Sequence, residues 1–241
     1  MADSPTSTAQ HFRLLPLGDA ALTVEFGDEI DPAVNARVIA FAETLRAQRW
    51  EGVLDVVPTY RSVTIHVDPL SLGLNTLTDR LREIPHTGSP HTTSSGRHHT
   101  IPVLYGGEWG PDLDDVAAFA KLSAADVIRL HSSVLYRVYM LGFSPGFPYL
   151  GSVPDPLAMP RLATPRTTVP AGSVGIAGNQ TGIYPTSTPG GWRLIGRTPL
   201  TLYRANSSKP FLLNPGDVVR FEPIGPQEFD RLQREPHDEA H

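Results

Sequence analysis

The stretch VLYRVYMLGF, residues 134–143, places apolar side chains on both faces of an extended chain. Val134, Tyr136, Val138 and Met140 point one way, and Leu135, Tyr139 and Leu141 point the other. A strand buried on both sides suits a barrel or a sandwich better than an open sheet edge. From there to Pro199, glycine and proline make up about a third of the residues, with short apolar runs such as SVGIAG, TGIYP and RLIG set among them. Short strands separated by such turns are an all-β signature. NPGDVVRFEPI then reads as a turn and a closing strand. Upstream of residue 134, TIPVLY reads as the first strand of the same unit. A helix follows Pro111 in DLDDVAAFAKL, and another starts at Ser123, where S-A-A-D resembles a capping box with Asp in the Glu/Gln position.

Before this unit lies a different pattern. Residues 20–26 (AALTVEF) predict a strand, and Asp31 before Pro32 predicts a helix N-cap followed by proline at the first helical position. Val34, Val38, Phe41 and Leu45 recur at spacings of four, three and four, one face of a helix. Beyond Gly52, VLDVVPTY and SVTIHV read as two strands, and residues 74–84 as a second helix. The segment PHTGSPHTTSSGRHHT carries no large apolar side chain, so it buries too little surface to order itself. The expected organisation is therefore α+β. A small N-terminal α/β domain covers residues 12–84, a linker 85–99, a β-rich domain 100–225 and a charged tail with a frayed helix 226–241.

Composition excludes several classes of function. The 241 residues are 40% apolar and 19% charged, an ordinary globular balance. A net charge of −5 and a pI near 6.0 argue against nucleic acid or an anionic membrane as the main partner. No window approaches the roughly 20 apolar residues of a membrane span. The first residues, MADSPTSTAQHF, lack the basic and apolar regions of a secretory signal, so the cytoplasm is the expected location. Cysteine is absent, which removes disulfides and thiolate chemistry.

Two serines invite a hydrolase reading that their context does not support. GFSPG (residues 142–146) matches G-x-S-x-G at Ser144, but the following residue, Pro145, has no N–H to give an oxyanion hole. Ser173 lies in AGSVG with no helical run after it. Of the nine histidines, His86, His91, His98 and His99 fall in the linker, and His11, His237 and His241 near the termini. His66 lies on the polar face of a strand. That leaves His131, at the end of the helix before the decisive strand, either favoured there by the helix dipole or chemically active. No metal site is expected, since ordering one in the linker costs chain entropy.

Charge type is more informative. Between His131 and Leu200 the basic residues are Arg137, Arg161, Arg166, Arg193 and Arg197, against a single acid, Asp155. Guanidinium forks suit carboxylate and phosphate. The adjacent run GSVGIAGNQTG, with Gly175 and Gly178 inside it, offers backbone that an anion could approach closely. The whole chain has only two lysines, Lys121 and Lys209, so arginine is also a general preference here, and the glycines also serve barrel turns. The run is not a P-loop. Phosphoryl transfer needs Mg²⁺ held by carboxylates, which this region scarcely provides, so acidic groups from another polypeptide are expected to complete the site.

LGFSPGFPYLG, VPAGSVGIAGNQTGIYP and PGGWRLIGRTP, with YGGEWGPDL and PRTTVP, resemble the family of 5-oxoprolinase B subunits, also called allophanate hydrolase subunit 1 or the KipI sporulation-kinase inhibitor. Similarity is dense over residues 100–224 and looser from Leu15. Asn179 and Thr186 to Thr188 depart from the family's usual small residues. The resemblance implies that the C-terminal domain is a cyclophilin-like β-barrel. It implies a partner, the 5-oxoprolinase C subunit, that with this chain uses ATP and Mg²⁺ to activate the 5-oxoproline lactam, the metal ligands coming largely from that partner. An A subunit of the same enzyme then completes hydrolysis to glutamate. The alternatives it carries are inhibition of a histidine kinase and a role in urea or allophanate metabolism. On chemical grounds Arg166 and Arg197 are the candidates for binding carboxylate or phosphate. Gln180 would orient the lactam amide, and Tyr184 and His131 would donate hydrogen bonds or carry protons. Phe147 and Trp192 would form walls, with Gly175 and Gly178 close to the ligand.

Overall fold

A computed structural model describes residues 12–84 and 96–235. The chain divides into two units, residues 1–94 and 95–241. Most of the expected linker, residues 85–95, lies outside the described residues, as do residues 236–241 of the tail.

In the first unit β1 (Arg13–Pro16), β2 (Ala21–Glu25), β3 (Val53–Pro58) and β4 (Ser62–Val67) form an antiparallel sheet in the order β1-β2-β4-β3. Helix α1 (Pro32–Gln48) begins as the sequence predicts: the Asp31 carboxylate accepts the Ala33 and Val34 amides at 2.8 and 2.9 Å. Its face of Val38, Phe41 and Leu45 meets Val63, Ile65 and Val67 of β4 and Leu77 and Leu81 of α2 (Leu74–Glu83) in one core. His66 is exposed on the other face of β4.

The second unit is a closed barrel in the order β10-β7-β6-β13-β5-β12-β9, with β9 pairing back to β10. Its strands are β5 (His98–Tyr105), β6 (Tyr136–Leu141), β7 (Pro148–Gly151), β9 (Ser173–Ala177), β10 (Gln180–Ile183), β12 (Arg193–Arg197) and β13 (Val218–Pro223). Only β5 and β13 run parallel. A two-stranded ribbon, β8 (Arg166–Val169) with β11 (Thr188–Gly190), stands beside it. Helices α3 (Leu113–Ala120) and α4 (Ala124–Ser132) connect β5 to β6, with Ser123 capping α4 by accepting the Asp126 amide. The expected α+β class and β-barrel are thus what the chain forms.

Three expectations change at this level. His98 and His99 belong to β5 rather than to a linker: His99 Nε2 lies 3.0 Å from Asp217 Oδ2, and that buried carboxylate also accepts the Arg97 and Asn214 amides. These bonds hold the Asp217 carboxyl below its usual range although burial alone raises it. The alternation in β6 breaks at a bulge between Val138 and Met140, so Leu141, read as facing away, packs on the barrel core, while Leu135 is exposed. The tail helix α5 (Pro226–Arg234) is docked, not frayed. Phe229 is buried against Trp109, ring centroids 4.8 Å apart.

Candidate functional site

The site is built from β7 and the turn before it (Phe143, Phe147, Tyr149), the segment leading to β8 (Arg161, Pro165) and the chain from Tyr184 to Trp192, with the β9–β10 hairpin behind them. Every residue of β9 from Ser173 to Ala177 is buried, and Gly182 of β10 and Gly190 of β11 let aromatic rings close on the backbone. A Cβ on Gly182 would come within 3.0 Å of both Phe147 Cζ and Trp192 Cζ3, and one on Gly190 would collide with the Tyr184 hydroxyl. Phe147 therefore sits at the centre of an aromatic cluster. Its ring centroid lies 5.0 Å from Tyr149, 5.2 Å from Tyr184 and 5.3 Å from Trp192, all edge to face.

These rings wall a half-open cavity of about 270 Å³, which Pro165, Pro189, Gly190 and Gly191 also line. Phe143 stands at its rim with a left-handed φ of 65° and 63% exposure, edge-on to Phe147 and Tyr184. The volume lies just below the roughly 300–1,000 Å³ of drug-sized ligand sites, which suits one small ring. Arg161 is the charged residue of the lining, its guanidinium 5.9 Å from the Trp192 ring centre. Burial raises the Tyr184 phenol above its usual range, although the Trp192 amide and the charges of Arg161 and Arg166 pull it down; burial raises Tyr149 likewise. Both phenols are protonated at neutral pH, and among the described residues no carboxylate lines the cavity. Such a site donates hydrogen bonds to a ligand rich in acceptors and provides no general base.

The cavity thus unites Phe147, Tyr184 and Trp192 from the residues named on sequence, with Gly175 behind Trp192. A Cβ on Gly175 would lie 3.1 Å from that of Trp192, so this glycine serves packing and not an anion. Arg166 is a neighbour of the cavity, paired across the ribbon with Gly190. It is not free to grip a ligand with its whole fork: Nη2 is held by Asp112 at 2.7 Å, whereas Nη1 is buried without a partner among the described residues.

The remaining candidates lie elsewhere. His131 is fully buried in the barrel, its ring stacked on Phe221 at 4.5 Å between centroids. Thr181 donates to the Gly175 carbonyl, so His131 Nε2–H donates to Thr181 and Nδ1 accepts from the Tyr105 hydroxyl. Burial lowers its pKa to about 3. Satisfied at both nitrogens and out of reach of solvent, it is a core histidine and not a proton carrier. Gln180 opens β10 at the end remote from Tyr184, about 13 Å away at ~3.3 Å per strand residue. Gly178 gives its amide to the Met159 carbonyl. Arg197 donates to the Ala171 carbonyl at 2.7 Å and lies over Trp109, bracing the barrel.

The acid-poor reading of residues 131–200 also needs correction. Acids from outside that window reach in: Asp112 pairs with Arg166 and Asp115 with Arg193. Sequence reasoning missed Phe143, Tyr149 and Arg161 as cavity residues. The aromatic spacing of GFSPGFPY was the available signal for the first two, and nothing local separates Arg161 from its four neighbours in the arginine set.

Residues 12–213 match the family described as carboxyltransferase domain, subdomain C and D. The 5-oxoprolinase B subunit of Bacillus subtilis strain 168 is 41% identical over 93% of this chain and 98% of its own length. The protein of the same name from Escherichia coli O157:H7 is 45% identical over 89% and 97%. The chain is a carboxyltransferase subdomain C and D protein of the 5-oxoprolinase B-subunit family. The crystal structure of TTHA0988 aligns with a TM-score of 0.77 at 40% identity, over 86% of this chain. This chain spans 40% of that longer one. The fold extends to the Kluyveromyces lactis urea amidolyase, with a TM-score of 0.72 at 21% identity over 91% of this chain and 15% of that one. This likeness is one of fold.

Among the described residues no group of three or more His, Asp or Glu side chains stands where it could hold a metal ion. The glycine-rich run spends its strand amides within the barrel, Gly182 and Gly175 being paired across β9–β10. The described residues thus offer no carboxylate cluster for Mg²⁺, and the strand amides of this run are committed to the sheet.

Proposed function

We propose that this chain is the B subunit of an ATP-dependent 5-oxoprolinase and that its aromatic cavity receives the lactam. The observation that carries the reading is the cavity itself: a small apolar box with protonated phenols and one guanidinium at its edge. 5-Oxoproline has a flat five-membered ring, a lactam carbonyl and a carboxylate, so it presents acceptors where the cavity presents donors. The names of the two bacterial relatives, which align with this chain over nearly their whole lengths, support the same substrate.

In this reading the rings of Phe147, Tyr184 and Trp192 exclude water and fix the plane of the substrate. The Tyr184 hydroxyl, whose oxygen accepts the Trp192 amide, turns its proton toward the ligand. The C subunit provides the groups for ATP and Mg²⁺, and the A subunit completes hydrolysis to glutamate. Consequently the purified chain does not turn over alone. The test is ADP release by this chain with and without the C subunit, in the presence and absence of 5-oxoproline. Lactam-dependent release from the pair only is the expected result. Full-rate turnover by the single chain, or none by a well-folded pair with the A subunit present, contradicts the proposal.

A further inference from the structure

Arg161 is set apart from the other arginines of its region by what it lacks. Arg166 and Arg193 are matched by Asp112 and Asp115, at 2.7 and 3.1 Å, and Arg197 is tied to a backbone carbonyl. Among the described residues Arg161 has no hydrogen bond and no acid within ion-pairing distance; it faces the Trp192 ring, and its charge reaches the neutral phenols of Tyr149 and Tyr184. Its backbone is nevertheless held on both sides. Met159 bridges to Gly178, accepting its amide at 2.7 Å, and the Leu162 amide donates to Gly191, also at 2.7 Å. Gly191 and Trp192 belong to the cavity wall, so these bonds hold an unneutralised guanidinium at the cavity's edge.

We propose that Arg161 is the carboxylate-recognising residue of the cavity, which makes the site selective for a small ring bearing one carboxylate. The proposal rests on the lactam reading above and adds to it the group that distinguishes 5-oxoproline from a neutral lactam. The ring enters among Phe147, Tyr184 and Trp192, and its carboxylate meets the planar fork of Arg161 in two parallel hydrogen bonds. Lysine, with a point charge and no fork, does not reproduce that geometry. Arg161 lies on the surface, so its replacement leaves the barrel folded.

The test measures binding of three probes by calorimetry, to the full chain and to its complex with the C subunit. The probes are 5-oxoproline, cyclopentanecarboxylate, which has no lactam, and 2-pyrrolidinone, which has no carboxylate. In Arg161→Ala both carboxylates should bind at least about 10-fold more weakly while 2-pyrrolidinone is unchanged, and Arg161→Lys should recover only part of the loss. If 5-oxoproline binds the wild type and Arg161→Ala alike, Arg161 is not the carboxylate partner, although the lactam reading stands. If cyclopentanecarboxylate binds through Arg161 and 5-oxoproline does not bind, the lactam reading falls and the role of Arg161 survives. Absence of binding by every probe, in the chain and in the complex, overturns both.

Discussion

Replacing Asp112 with alanine is expected to cost about 3–5 kcal/mol of stability, the range found when one partner of a buried ion pair is removed. The carboxylate is nearly inaccessible and does two things at once. Oδ1 accepts from Arg166 Nη2 at 2.7 Å, and Oδ2 accepts the buried Leu194 amide at 2.6 Å. Without it the guanidinium, whose Nη1 already has no partner, becomes a half-buried uncompensated charge, and the amide is orphaned. An orphaned buried amide alone costs about 1–3 kcal/mol. Asp115→Ala is the control: its pair with Arg193 involves a largely exposed carboxylate, so its loss should change stability by less than about 1 kcal/mol. Urea unfolding followed by tryptophan fluorescence measures both. An Asp112→Ala midpoint close to wild type would remove this carboxylate from the account of how the cavity wall is held.

The second large effect is loss of stability in acid, traced to His131. In the unfolded chain this histidine takes up a proton below its ordinary pKa of about 6.5, whereas in the fold burial delays that to about 3. Across that window the unfolded state binds more protons, so stability falls as pH falls. The slope approaches 1.4 kcal/mol per pH unit, or roughly 2–3 kcal/mol between pH 6.5 and 4.5. His131→Phe keeps a ring against Phe221 and removes the titration, at the expense of a Tyr105 hydroxyl without its acceptor and a Thr181 oxygen without its donor, the Thr181 hydroxyl still bonding the Gly175 carbonyl. The variant is therefore less stable at pH 7 and loses this part of the pH slope. If wild type and variant show the same slope over this range, His131 is not the buried neutral group.

How much of this was legible before the fold was known depends on the range of the interaction. The Asp31 cap, the Ser123 cap and the face of Val38, Phe41 and Leu45 are set by neighbours within a few residues, and all three are present in the fold. Strands among glycines and prolines were legible for the same reason. Closure of the barrel was legible as a class but not as a pairing: β13 lies parallel to β5, more than 100 residues away. Charge reading failed over the same distances. Arg166 and Arg193 read as unneutralised because their acids lie 54 and 78 residues earlier, brought in by α3. The bulge in β6 escaped because one extra residue leaves the apolar composition unchanged while reversing which side chains face the core. His131 was located correctly on its helix, but only the packing of Phe221 and Tyr136 around it shows that it belongs to the interior. Phe147 and Trp192, named on chemical type, both line the cavity, whereas Arg161 was not singled out because its distinguishing feature is that no acid pairs with it among the described residues.

If the aromatic cavity receives the lactam, as proposed, the chain's three tryptophans report it directly. Trp192 lines the cavity, Trp109 packs on Phe229 under Arg197, and Trp50 lies in the N-terminal unit under Arg80. In a ¹⁵N-labelled sample each indole N–H gives its own resonance, assignable by Trp→Phe replacement. Titration of 5-oxoproline into the complex with the C subunit should shift the Trp192 indole signal in a saturable way and leave those of Trp109 and Trp50 unmoved. Saturable substrate binding with a silent Trp192 signal would place the lactam elsewhere and contradict the account.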